Sequence, residues 1–238
     1  MHTKRNVFIA VFSFLILTIF VLYGTYYYIL DKQKILLDST YNSTNTNILK
    51  LTEKFLDNKI NTTLAIALSL VKDYELHKLM ATQEYDKFNY NDISQQIKDN
   101  TKFKNIWIQI IDKEGNSIYR SWSDKKGDNL FFRKDLKNFV EDKKVSTSIS
   151  VGLYSMTIKA RAPIIDEENN FLGALEIIGQ FNSIANDLKE NKIDSVIIAD
   201  KKYNEIIQLP FSKIFIDDYY VANVNVNKEL ITYLQRNK

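Results

Sequence analysis

The sequence contains no cysteine, which excludes disulfides, thiolate metal sites and cysteine nucleophiles. Histidine is nearly as scarce: only His2 and His77 occur, at positions that the topology below separates by a membrane. Neither a two-histidine metal site nor a Ser/His/Asp triad can then be assembled in the outer part, and no cofactor is implied. His77 reads as a helix-surface residue. Charge of one sign is also lacking, since 32 Lys and Arg against 29 Asp and Glu leave a formal net charge of +3. No Lys/Arg cluster falls on one face, so nucleic acid is not an expected partner. Proline and glycine are both absent between Thr25 and Lys113, and nothing there forces a helix to break.

What is present begins with an uncharged stretch from Asn6 to Leu30. At ~1.5 Å per residue, Val7 to Tyr28 reaches roughly 33 Å, enough to cross a hydrocarbon core of ~30 Å. Lys4 and Arg5 precede it, and Tyr23, Tyr26, Tyr27 and Tyr28 crowd its far end like an interfacial aromatic belt. The positive-inside rule therefore puts the N-terminus in the cytoplasm and everything after Asp31 outside, on a single-pass inner-membrane protein. The run is too long for a signal-peptide core, and no A-x-A-like site follows it.

Beyond the anchor, Leu51, Phe55, Leu56, Ile60, Leu64, Ala67, Leu68 and Val71 recur at helical spacing, which predicts one buried stripe on a long helix. Asn42 to Asn47 is a weak helix former and is expected to loosen it. The sequons at Asn42 and Asn61 read as chance in a chain this rich in Asn, Lys and Ile. From Ile106 the period changes to two. Ile106 to Asp112, Ser117 to Trp122, Thr147 to Leu153, Met156 to Ile165 and Phe171 to Ile178 read as strands, the first two joined by the turn Lys113-Glu114-Gly115-Asn116. A short helix follows Gly127, and five strands after a long helix predict an α+β fold with a PAS-like antiparallel sheet.

Strand parity divides that sheet into two faces. Ile106, Ile108, Ile110, Ile158, Ala160, Ala162, Ile164, Leu175 and Ile177 form a plain apolar face for the helix to cover. Opposite them fall Trp107, Gln109, Arg120, Trp122, Lys159, Arg161 and Glu176: aromatics interleaved with cations and one carboxylate. Aromatics supply area and a few polar groups fix orientation, so this mixture suits a ligand pocket. The plainer reading is a solvated face carrying an Arg161–Glu176 surface ion pair.

Three segments carry a resemblance: GDNLFFRKDL (Gly127 to Leu136), SVGLYSMTIKARAPIID (Ser150 to Asp166) and FLGALEIIGQFNSI (Phe171 to Ile184). Together they resemble the Cache superfamily, and more narrowly the double-sensory Cache modules of bacterial chemoreceptors, sensor kinases and diguanylate cyclases. Arg133, Arg161, Pro163, Gly173 and Glu176 stand at the matching positions. The resemblance adds Arg133 to the candidate ligand-binding residues, puts the pocket on the face away from the long helix, and makes a parallel homodimer the default. The amino-acid-binding subset carries an arginine and a tryptophan two apart, followed by tyrosine. Arg120 and Trp122 have that spacing, but Ser123 follows them.

These readings divide the chain into an anchor (1–30), a long helical region (31–100), a PAS-like Cache sensor module (101–190) and the start of a second, membrane-proximal module (191–238). No kinase, cyclase or methyl-accepting signature follows, which reads as a truncated chain or an anchored binder working through a partner. The expected function is extracytoplasmic sensing of a small organic ligand, a carboxylate or a zwitterion. The alternative is a membrane-anchored protein whose exposed Trp107 and Trp122 bind a protein partner. A hydrolase using Asp124, Asp128 and Asp135 lacks a base or metal beside them, and no enzyme activity is expected.

Overall fold

A computed structural model describes residues 2–103 and 106–237, with side chains from residue 12 onward. The side chains of Lys4 and Arg5, on which the expected orientation rests, and of His2 lie outside the described residues. The chain divides into two units, Met1–Lys50 and Leu51–Lys238.

The described residues of the first unit are all helical and belong to α1 (His2–Leu70). Over its most apolar 18-residue window the mean hydropathy is 1.7, so α1 is long and apolar enough to cross a membrane. Phe14, Phe20, Leu22 and Tyr28 are all exposed there, as a lipid-facing surface requires. The helix does not loosen at Asn42 to Asn47. Asn, Ser and Thr each cost only about 0.5 kcal/mol against Ala, and without Gly or Pro that sum bends nothing. Thr46 instead donates its hydroxyl to the Asn42 carbonyl at 2.8 Å, within the helix.

The second unit contains the rest of α1, then α2 (Tyr74–Thr82), α3 (Asn91–Asn100), β1 (Ile106–Asp112), β2 (Ser117–Arg120), α4 (Lys134–Asp142), β3 (Ser146–Val151), β4 (Met156–Ile165), β5 (Phe171–Gly179) and α5 (Asn182–Glu190). Asp73 caps α2 by accepting from the Glu75 amide at 3.1 Å. The five strands form one antiparallel sheet in the order β2-β1-β5-β4-β3. A smaller sheet, β6 (Ile198–Ala199), β8 (Tyr219–Val221) and β7 (Phe215–Ile216), and a last helix α6 (Lys228–Arg236) complete the chain. The first strand of the C-terminal part, β6, is only two residues long.

The apolar face is where parity puts it. Ile106, Ile108, Ile110, Ala160, Ala162, Ile164, Leu175 and Ile177 are buried with Ala67 and Val71 of the first helical segment and Leu76, Leu79 and Met80 of α2. Further along α1, Leu51, Phe55, Leu56 and Ile60 pack on Phe181, Ile184 and Leu188. One member of the stripe departs: Leu68 is exposed, because it lies ~100° around the helix from Ala67. Two polar residues take the buried line instead. Lys59 and Thr63 are each about 1% exposed, and the Lys59 stem lies over Gly179, where a Cβ would come within 2.8 Å of its Cε.

Candidate functional site

The opposite face is organised by register. Arg120 of β2 stands beside Gln109 of β1, Gln109 beside Glu176 of β5, Glu176 beside Arg161 of β4, and Arg161 beside Ser146 of β3. One polar row therefore crosses all five strands. The adjacent row runs Trp107, Ile178, Lys159 and Ser148. Trp122 belongs to no strand, since β2 ends at Arg120, although the Ser121 amide still donates to the Ile108 carbonyl at 2.9 Å.

The loop before α4 closes over the first row. Arg133, at the N-cap of α4, donates to both oxygens of Glu176 at 2.9 and 2.5 Å. Arg161 donates through Nε to the same carboxylate at 2.6 Å, and through Nη2 to Asp135. Asp135 also accepts from the hydroxyls of Ser148 and Ser150 at 2.9 and 2.8 Å. Glu176, Arg161 and Arg133 are essentially inaccessible, so the pair expected as either a ligand contact or a surface bridge is the middle of a buried network. Burial pushes the Glu176 carboxyl up, but the charges of Arg133 and Arg161 outweigh it and hold the group at about 2. Asp135 lies well below the usual carboxylate range: burial opposes ionisation there too, and Arg133, Arg161 and Lys159 overcome it. Two arginines against two carboxylates leave this network balanced.

Arg120 is likewise engaged, clasping both oxygens of Asp128 at 2.6 and 2.8 Å and donating to the Lys125 carbonyl at 2.6 Å. Of the carboxylates considered for hydrolysis, Asp128 and Asp135 thus serve as arginine partners, and Asp124 is exposed. With its nitrogen toward Glu176 (3.2 Å) and its oxygen toward Ser117 Oγ and Arg120 Nε (2.7 and 3.2 Å), the Gln109 amide joins the two ion-paired groups.

Lys159 is the cation left over. Its Nζ donates to the Ser150 carbonyl and hydroxyl, both at 2.7 Å, and meets no carboxylate directly. Burial, with Arg133 adding to it, pushes this ammonium well below the ordinary lysine value. Beside it, Trp107 and Trp122 stack face to face with centroids 4.6 Å apart, and Tyr154 meets both rings edge-on. Trp107 is 9% exposed and Trp122 half-buried, so of the two aromatics on which a protein-docking reading relied only Trp122 presents appreciable surface.

Between these groups lies a cavity of about 30 Å³, lined by Trp107, Gln109, Arg120, Trp122, Leu130, Phe132, Arg133, Thr157, Lys159, Ile178 and the β3–β4 loop from Gly152 to Ser155. Six of the eight predicted site residues line it; Arg161 and Glu176 lie outside the lining. Sequence reasoning missed Thr157 and Tyr154. Thr157 was legible, because it shares strand parity with Lys159 and Arg161. Tyr154 was not, because loop residues follow no period. Phe211 was also missed; it packs edge-on against Trp107 at 5.1 Å from 104 positions away, with no local signal.

No protein-family model and no curated protein matches this sequence. Among solved structures it is similar to the sensor domain of the V. cholerae histidine kinase DctB, with TM-score 0.52 and 17% identity over 66% of this chain and 62% of that one. It is also similar to the E. coli DcuS sensor domain (TM-score 0.47, 15% identity, 57% of this chain and 98% of that one). A third is the ligand-binding domain of the Campylobacter jejuni chemoreceptor Tlp3 in complex with L-valine (TM-score 0.45, 13% identity, 69% of this chain and 70% of that one). With its long first helix, its antiparallel five-stranded sheet and its likeness to the DctB domain, the chain has the fold of the Cache-type sensor domains.

Proposed function

We propose that this chain is the ligand-sensing part of a bacterial membrane-bound signalling protein, with α1 as a single-pass anchor, its N-terminus in the cytoplasm and residues beyond Asp31 outside. The observation that carries the reading is the cavity between the sheet and the α4 loop, walled by aromatics and by Lys159. Trp107, Trp122, Arg133 and Lys159 contact the ligand. Gln109, Arg120, Arg161 and Glu176 fix the positions of those groups through the hydrogen bonds described above. The DctB sensor domain it resembles in fold belongs to a histidine kinase, which supports a role in signal transduction. A parallel homodimer is the expected assembly.

A ligand acts here only through unequal affinity for two states of the domain. The cavity is small, and an organic molecule enters only if the stacked tryptophans and the loop carrying Tyr154 part. Calorimetric titration of the full chain in detergent with amino acids, organic acids, amines and purines tests the reading, with quenching of Trp107 and Trp122 fluorescence as a second readout. Saturable binding that changes tryptophan emission is expected. A folded protein that binds no member of these classes would refute it.

A further inference from the structure

The cavity has an excess of donors. Three polar atoms of its lining are buried without a hydrogen-bond partner: Trp122 Nε1, Arg133 Nε and Thr157 Oγ1. The first two only donate. Arg133 and Thr157 are 5% and 2% exposed, so water does not compensate them at the surface. In its charged form Lys159 has three N–H groups and spends two on Ser150. Among the described residues no Asp or Glu lines the cavity. Glu176, the one carboxylate on this face of the strands, is held by Arg133 and Arg161.

From this imbalance, and resting on the reading that the cavity is the ligand site, we infer that the ligand is a small carboxylate without an amino group, and not an α-amino acid. A carboxylate offers two oxygens with about four acceptor positions, which match the spare donors of Lys159, Arg133, Trp122 and Thr157. It also supplies the negative charge that the balanced Arg133–Arg161–Glu176–Asp135 network does not give Lys159. The ammonium of an amino acid finds no carboxylate in the lining, and it would enter beside Lys159, which no carboxylate meets directly. Size agrees. A cavity of about 30 Å³ holds a carboxylate head, whereas one that encloses benzene measures roughly 150 Å³. A short apolar tail would lie along the tryptophans and Ile178.

Matched pairs differing by one amino group give the test. The full chain in detergent is titrated calorimetrically with propionate against alanine and isovalerate against valine, with putrescine and adenine as other classes. At least one acid is expected to bind tenfold or more tightly than its amino counterpart. Lys159→Met is expected to weaken it roughly tenfold or more, as loss of a charge-assisted hydrogen bond does. Trp122→Phe keeps a six-membered ring to stack on Trp107 and removes the indole N–H together with the five-membered ring that carries it, and a several-fold loss is expected from it; it decides the matter should Lys159→Met not fold. Binding of an amino acid as tight as its matched acid overturns the ligand class and leaves the sensing function standing. Acid binding unchanged in Trp122→Phe and in folded Lys159→Met places the ligand elsewhere and overturns the inference. Binding of none of the four classes overturns the sensing function as well.

Discussion

At the scale of single residues, the chemistry of the sheet face is a matter of which charges are already spoken for. Arg161 looks from sequence like a ligand contact, and in the fold it is bound to Glu176 and Asp135 inside the protein. Arg161→Ala is therefore expected to cost about 3–5 kcal/mol in denaturant unfolding, because it leaves buried carboxylate charge short of a partner. The same network sets acid sensitivity. Glu176 and Asp135 have folded-state values depressed below their unfolded ones, so their contribution is complete above about pH 5 and is lost as pH falls toward 2. Stability measured across that range should decline, and Glu176→Gln should flatten the slope. Lys59 acts in the opposite direction. Burial holds it down to about 7, only partly offset by Asp187, and its ammonium has no hydrogen-bond partner. A lowered lysine value means that folding opposes the charged form, so stability should rise from pH 7 to about 10. Lys59→Met should add about 1–3 kcal/mol at neutral pH and abolish that rise.

At the scale of elements, strand parity was legible because an antiparallel sheet with a covered face must alternate. Ile108 is wholly buried between its neighbours on β5 and the helices. Ile108→Asp is expected to unfold the second unit, seen as loss of near-ultraviolet ellipticity and of a cooperative thermal transition. The helix stripe was legible for the same kind of reason, except where it carries Lys59 and Thr63. An apolar count skips these residues, yet the 3.6-residue repeat turns them inward with Leu56, Ile60 and Ala67. Strand ends were less legible. Ser117 to Trp122 alternates like a strand to its last residue, but β2 stops at Arg120, whose side chain turns to clasp Asp128.

At the scale of the whole second unit, the wall of the cavity is tied to the small C-terminal sheet and to the connection between its strands β6 and β7. The amides of Leu209 and Phe211 donate to the carbonyls of Leu153 and Tyr154 at 3.0 and 2.8 Å. Buried Tyr220 of β8 hydrogen-bonds the Ser155 hydroxyl at 3.1 Å. Tyr220→Phe removes the hydroxyl's bond to Ser155 with almost no change of shape and should cost about 1 kcal/mol. It should also speed hydrogen exchange at the amides of the Gly152–Ser155 loop.

The sequence by itself determined the helical and strand periods, the apolar run long enough to span a bilayer, and the two faces of the sheet, because each follows from the spacing of side chains along one element. Tertiary structure alone decided which of the eight candidate residues keep free hydrogen-bonding capacity. Arg133, Arg161 and Glu176 come from the α4 loop, β4 and β5, and whether a cation meets a ligand or a neighbouring carboxylate depends on distances between elements far apart in the chain. Lys159 differs from Arg161 by two positions on one strand; only the fold sets one beside Asp135 and Glu176 and leaves the other with a serine.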